Sequence, residues 1–251
     1  MGHETLDRGS SVAGPDDPHR RNRLLAGLPD EALDALRPAL GIVPLERGRI
    51  LQEPFEPVRE VLFPHGGIVT VGAALGGSRI VAAAAVGAEG FLGFWALLGG
   101  QTALCRLTVR IPSTASRLPV DALKAAMAAS PPLQAALLAQ TKLTVGQTLL
   151  SSACCGLHSI EARCARWLLQ VDDRLRPDEP GPTQGLLAEL AGVQRQSIGA
   201  ACAALRRRGL IGAEPGALRV ADRAGLEAAA CDCYRASREV AARVGAEAAG
   251  R

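Results

Sequence analysis

Lysine is almost missing from this chain: of its 28 basic residues, only Lys124 and Lys142 are Lys. The arginine bias suits bidentate phosphate contacts and a GC-rich coding sequence equally, so composition leaves both explanations open. A net charge of +3 is slight, which excludes a polybasic nucleic-acid coat and requires any attraction to DNA to be local. No run approaches the ~20 apolar residues of a membrane span. The start of the chain, with His3, Glu4, Asp7 and Arg8, does not read as a signal peptide, so the expected location is cytoplasmic, away from membranes. Seven cysteines, none before Cys105, point to reduced thiols rather than a disulfide frame. His3, His19, His65 and His158 have no evident nucleophile partner, and neither paired catalytic carboxylates nor a Gly-Lys phosphate loop is found. The expectation is therefore a non-enzyme.

What is present is concentrated between Thr183 and Ile211, which reads as two helices crossing at a sharp turn. Ala188 is small enough for a close helix approach, and Gly192, four residues on, can reverse the chain with φ > 0. Leu186, Leu187 and Leu190 on the first helix and Val193, Ile198, Ala201, Cys202 and Leu205 on the second recur at helical spacing, enough to seal a small core. Gln194, Arg195, Gln196 and Ser197 then face outward at the start of the second helix, where a helix-turn-helix meets the major groove. Two short apolar arms around Glu214-Pro215-Gly216 follow, as in a β-hairpin, which would make the motif a winged one. Between Thr183 and Arg223, six arginines stand against three carboxylates.

Taken in order, residues 1–21 are polar and read as a disordered tail. From Asn22, leucines at helical spacing are broken by Pro29 and Pro38, predicting two short helices. Residues 42–118 switch to seven short runs, punctuated by Gly48, Pro54, Pro57, Gly76-Gly77 and Pro112, which predict antiparallel strands in a small β-roll. Between the fifth and sixth runs, the Gly-rich segment 87–100 holds Phe91, Phe94 and Trp95 in a chain that is only 3% aromatic, so it either lines a pocket or fills the roll. After Pro131-Pro132 the sequence predicts one long helix to Leu157, roughly 35 Å in length, too long for one small domain to bury. Leu138, Val145 and Leu149 form a strip on it at heptad spacing, and Thr141, Thr144, Thr148 and Ser152 form an adjoining small polar strip, so two copies of the helix could pair. His158-Ser159 is the predicted hinge before another helix. Residues 224–244 are predicted to form a last helix behind the wing.

This architecture resembles the Crp/Fnr superfamily of bacterial transcription regulators over residues 22–235. The resemblance is carried by Leu157-His-Ser-Ile-Glu-Ala-Arg-Cys-Ala-Arg-Trp-Leu-Leu at the hinge and Leu187-Ala-Glu-Leu-Ala-Gly-Val-Gln-Arg-Gln-Ser-Ile in the reading head. In the roll it rests on Pro44-Leu-Glu-Arg-Gly-Arg-Ile-Leu, Val61-Leu-Phe-Pro-His-Gly-Gly-Ile-Val and Val86-Gly-Ala-Glu-Gly-Phe-Leu-Gly. It implies an α+β fold with a cyclic-nucleotide-binding-like β-roll at 22–130, a dimerisation helix at 131–157, a winged helix-turn-helix domain with its final helix at 158–244, and a tail at 245–251. The implied protein is a homodimer that binds double-stranded DNA at a near-palindromic operator under control of a small-molecule effector, with RNA polymerase a further partner left open. The alternative is a ligand-binding roll whose C-terminal hairpin makes protein contacts instead.

By position in that resemblance, Arg195 and Gln196 are the base readers and Thr183, Gln194 and Ser197 the phosphate contacts. An effector pocket would draw on Glu89, Phe91, Leu92 and Arg106. Here the chain departs from cyclic-nucleotide binders: Gly90-Phe-Leu-Gly93 replaces the Gly-Glu-Leu segment that holds the ribose, and Cys105-Arg106-Leu107 replaces the Arg-Ser or Arg-Thr pair that holds the phosphate. Classical cyclic nucleotide binding is therefore not expected, although Arg106 alone could meet a phosphate. Phe55 stands where the family often turns with Gly, which would narrow the pocket mouth. The N-terminal cysteine group of iron-sulfur members is missing. His65 and Cys105 are haem-ligand candidates by type alone. Cys154-Cys155 and Cys231-Asp-Cys233 lack the usual zinc spacing, so no metal site is expected and their role is left open.

Overall fold

The structure, a computed structural model, describes residues 17–75 and 79–249. The expected disordered tail lies outside the described residues up to Asp16, and so does the Gly76-Gly77 turn. Residues 17–21 depart from that expectation. They form a 3-10 turn over Pro18–Arg21, fixed by His19 Nδ1 against Ser116 Oγ at 2.7 Å and by an Asp17–Arg37 ion pair at 2.8 Å. Two short helices follow as the proline positions require, α1 (Arg23–Ala26) and α2 (Asp30–Leu36).

The seven predicted runs become β1 (Gly41–Leu45), β2 (Ile50–Gln52), β3 (Glu60–Pro64), β4 (Ile68–Leu75), β5 (Arg79–Val86), β6 (Arg106–Ile111) and β7 (Ser113–Pro119). They pair antiparallel in two sheets, β1-β7-β3 and β2-β6-β4-β5, closing a roll around Phe63, Phe91, Leu92, Leu118 and their neighbours. Side-chain alternation, interrupted by a bulge in β5 opposite Val71 and Gly72, divides the second sheet between two cores. On β4, Val69 and Val71 fill the roll while Ile68 faces the C-terminal domain, and on β5, Ala84 and Val86 face the roll while Ala82 and Ala85 face away. A sheet covered on both faces explains why these strands read as continuous apolar runs.

Helix α3 (Val120–Ala129) leads into α4 (Pro131–Leu157), whose start carries both a Ser130 cap and prolines in the first turn, where the missing N–H costs nothing. At 27 residues α4 spans ~40 Å. After the break at His158 come α5 (Ile160–Asp172), α6 (Gln184–Ala191), α7 (Arg195–Arg207), the hairpin β8 (Ile211–Glu214) and β9 (Ala217–Val220), and α8 (Arg223–Ala229). The last helix, α9 (Cys233–Ala249), differs from the sequence expectation. It does not pack behind the wing. It runs antiparallel along α4, with Val240 against Gly146 and Lys142 paired to Glu247 at 2.7 Å, and it continues past residue 244 into the expected tail. No described helix is long and apolar enough to cross a membrane.

Candidate nucleic-acid interface

The interface is built on a small buried core. Thr183 caps α6, its Oγ1 accepting from Leu186 N at 3.1 Å, and Leu186, Leu187, Ala188 and Leu190 turn inward. Gly192 ends the helix at φ 65, and the Val193 N–H returns to the Ala188 carbonyl at 3.0 Å. This φ is one that a side chain would strain. From α7, Ile198, Ala201, Cys202 and Leu205 complete the core together with Trp167, Leu168 and Leu169 of α5.

With that face buried, the opposite face of α7 is open. Gln194, Arg195 and Gln196 are exposed and Ser197 is half-buried. Gln194 makes no side-chain cap, so its amide is free to meet a ligand. Among the described residues no carboxylate pairs with Arg195, Arg206 or Arg207, whereas Arg208 and Arg219 are held by Glu161 and Glu214. Thr183, Arg195, Arg206 and Glu214 line one groove between the start of α6, α7 and the wing. Four of the five DNA-contact candidates thus stand at one helix start, with Thr183 beside them in the groove.

Contacts that the sequence did not disclose seat this domain on the roll. Glu189, on the side of α6 away from its core, accepts from Thr70 Oγ1 at 3.0 Å and from Arg110 Nε at 3.2 Å. Glu179 accepts from the Gly67 N–H at 2.8 Å. Buried Arg163 donates to the Cys155 carbonyl at 2.9 Å and also to the Ala191 carbonyl, tying the end of α4 to the end of α6. Only the residue types of these partners were visible in advance; their separations along the chain gave no local pattern.

The expected effector residues do not form one site. Phe91 stacks on Phe63 with ring centroids 5.8 Å apart, and Leu92 exchanges backbone hydrogen bonds with Leu62; both side chains are in the core. Arg106 is paired with Glu53 at 2.7 Å. Glu89 turns to Arg174 at 2.7 Å and lines a cleft with Gln140, Gln170 and Ser237 outside the roll. Phe55 adopts φ 69, and its ring is 80% exposed, projecting into solvent rather than narrowing a pocket. Of the haem-ligand candidates, His65 has Nδ1 2.9 Å from Thr114 Oγ1 and Nε2 2.8 Å from Ser116 Oγ, while Cys105 accepts from Trp95 Nε1 at 3.1 Å. Burial, reinforced by His19 and Arg21, pushes His65 down to about 4, so it is neutral at physiological pH.

On α4, Leu138, Val145 and Leu149 are exposed in one stripe, with Ser152 exposed and Thr148 half-buried beside it. Thr141 and Thr144 correct the expectation. They are 4% and 5% exposed and donate their hydroxyls to the Leu137 and Gln140 carbonyls, facing their own chain. The cysteines give a separate finding. Cys154, His158, Cys231 and Cys233, for which sequence spacing predicted no metal site, are brought together at the hinge. The available signal was a Cys-x3-His at a helix end and a Cys-x-Cys that begins 73 residues after that His.

Residues 162–229 match the family model of the Crp-like helix-turn-helix domain. No curated protein is significantly similar in sequence. Among solved structures, FixK2 from Bradyrhizobium japonicum superposes with a TM-score of 0.68 at 17% identity, covering 76% of this chain and 98% of that one. The c-di-GMP responsive global regulator CLP of Xanthomonas campestris gives 0.62 at 16% identity, covering 76% and 99%. A CRP-family transcriptional regulator of Thermus thermophilus gives 0.63 at 19% identity, covering 75% and 96%. Residues 162–229 are thus similar to a Crp-like helix-turn-helix domain, and the chain shares the fold of these solved regulators.

Proposed function

We propose that this protein is a homodimeric transcription regulator that reads a near-palindromic operator with the start of α7, under control of a signal received by the N-terminal roll. The observation that carries this reading is the cationic start of α7, where Gln194, Arg195 and Gln196 stand exposed beyond the buried core and Arg195 is unpaired. Arg195 is long and planar enough to bridge a guanine O6 and N7, Gln196 can address an adjacent adenine, and Thr183, Gln194 and Ser197 set register on phosphates. The open stripe Leu138-Val145-Leu149 supports pairing through α4, which would present two α7 helices to two half-sites.

Control of a classical cyclic-AMP kind is not supported. Arg106 is already neutralised by Glu53, and Glu89 is engaged by Arg174 outside the roll. The test is binding of the purified protein to genomic fragments, with sequencing of those retained, over a range of salt. Sequence-selective, salt-sensitive retention is expected. Retention that is absent even at low ionic strength would favour the alternative, a roll whose C-terminal hairpin contacts another protein.

A further inference from the structure

At the joint between α4 and α5, away from the groove and the open stripe, four side chains of metal-ligand type converge. Cys154 lies in the last turns of α4, His158 caps that helix, Cys231 sits in the turn after α8, and Cys233 opens α9. Cys154 Sγ is 3.5 Å from Cys231 Sγ, and Cys233 Sγ is 3.6 Å from His158 Nδ1. All four ligand atoms lie within 4.8 Å of one another. The three thiols are buried, His158 is half-buried, and Ala162 packs against them.

These distances select the kind of ligand. A tetrahedral zinc ion, with bonds of about 2.3 Å to sulfur and 2.0 Å to nitrogen, holds its ligand atoms roughly 3.5–3.8 Å from one another. The pairs here already stand near that spacing. An iron-sulfur cubane ligated at its corners needs its cysteines farther apart than atoms that share one ion. Three thiolates and an imidazole suit zinc, and four protein ligands fill its coordination shell, leaving no position for water or substrate. Three thiolates around a divalent cation leave one net negative charge. Arg166 is close enough for its charge to act on both Cys231 and Cys233, it is 1% exposed, and its Nε has no hydrogen-bond partner among the described residues. A buried cation with donor capacity to spare is what such a site needs in its surroundings.

We propose that Cys154, His158, Cys231 and Cys233 bind one zinc ion in a closed structural site that clamps α9 to the hinge between α4 and α5. On binding, three thiol protons leave to solvent, neutral His158 offers the lone pair of Nδ1, and the metal keeps its oxidation state. The ion joins segments 77 residues apart and so secures the antiparallel seating of α9 on α4. Its binding energy then counts as folding energy for the hinge.

The test is metal analysis of the full-length protein purified without chelator. One zinc per chain is expected. After removal of the ion, titration with cobalt should give thiolate charge-transfer bands and the intense ligand-field bands of a tetrahedral site, saturating at one equivalent. Cys154→Ser, Cys231→Ser and Cys233→Ser should each lower zinc content and alter the cobalt spectrum, whereas Cys155→Ser, at the exposed neighbouring thiol, should leave both unchanged. The cobalt titration of the unsubstituted chain keeps the test valid even if a serine variant does not fold. The proposal is overturned by protein that carries no zinc and gives no tetrahedral cobalt spectrum, by iron with acid-labile sulfide at these cysteines, or by a Cys154–Cys231 disulfide in protein purified without exposure to air.

Discussion

Arg195 owes its importance to what it is not doing. Arg208, at the far end of α7, and Arg219 of the wing are tied to carboxylates, while Arg195 enters solvent unpaired at the start of that helix. Arg195→Ala should cost ~1–3 kcal/mol on the selected operator and much less on random duplex, measured by titration at fixed salt. Equal losses on both would make it a phosphate contact only. His65 gives a prediction of a different kind. Its imidazole is held neutral between Thr114 and Ser116, depressed to about 4 by burial and by the neighbouring His19, Arg21 and Arg176, partly offset by Asp17. Because the unfolded chain takes up this proton near pH 6.5 and the fold does not, the stability is full above that value and lost as pH falls toward 4. Urea unfolding should therefore show the native chain losing about 2 kcal/mol more than His65→Gln between about pH 7 and about pH 5. Parallel losses would show that His65 does not carry this dependence. Phe55 holds a left-handed backbone with its ring in water, so Phe55→Gly should raise stability by ~1 kcal/mol in the same assay; no gain would mean the ring makes contacts that compensate.

At the scale of elements, the sequence disclosed those whose signals are local. Prolines bounded α2 and α4, turn residues separated all seven strands of the roll, and the Ala188–Gly192 pair marked the helix crossing. It was silent where distant segments meet. One last helix was predicted over 224–244 where the structure has α8 and α9, and the partner of α9 was not disclosed, since an apolar face is satisfied as well by α4 as by the wing. On α4, Leu138, Val145 and Leu149 stand exposed, whereas Thr141 and Thr144 were placed beside them because helical spacing alone cannot tell which side the roll and α9 will cover. The same blindness hid the cysteine and histidine cluster and the seating of Glu189 on Thr70 and Arg110. The exposed stripe leads to a direct prediction. Burying Leu149 from each copy is worth ~1.5–3 kcal/mol, so Leu149→Ala, counted twice, should weaken self-association by about two orders of magnitude or more in sedimentation experiments. An unchanged association constant would move the interface elsewhere.

For the whole molecule, the arrangement places the roll and the helix-turn-helix domain back to back. The sheet β2-β6-β4-β5 serves the roll with one face and α6 with the other, so a shift of β4 or β6 bears directly on α6 through Thr70, Arg110 and Glu189. Helix α7 lies beyond α6, free of the roll, and α4 crosses the molecule with its stripe open. Two such chains joined along α4 would carry two cationic helix starts related by a two-fold axis. The most direct measurement is selection from a library of random duplexes by the purified protein, followed by sequencing of the retained pool. The account predicts an inverted repeat with half-sites about one helical turn apart, lost when Arg195 and Gln196 are both replaced by Ala. A pool with no inverted repeat, or one that the double variant enriches equally well, would contradict it.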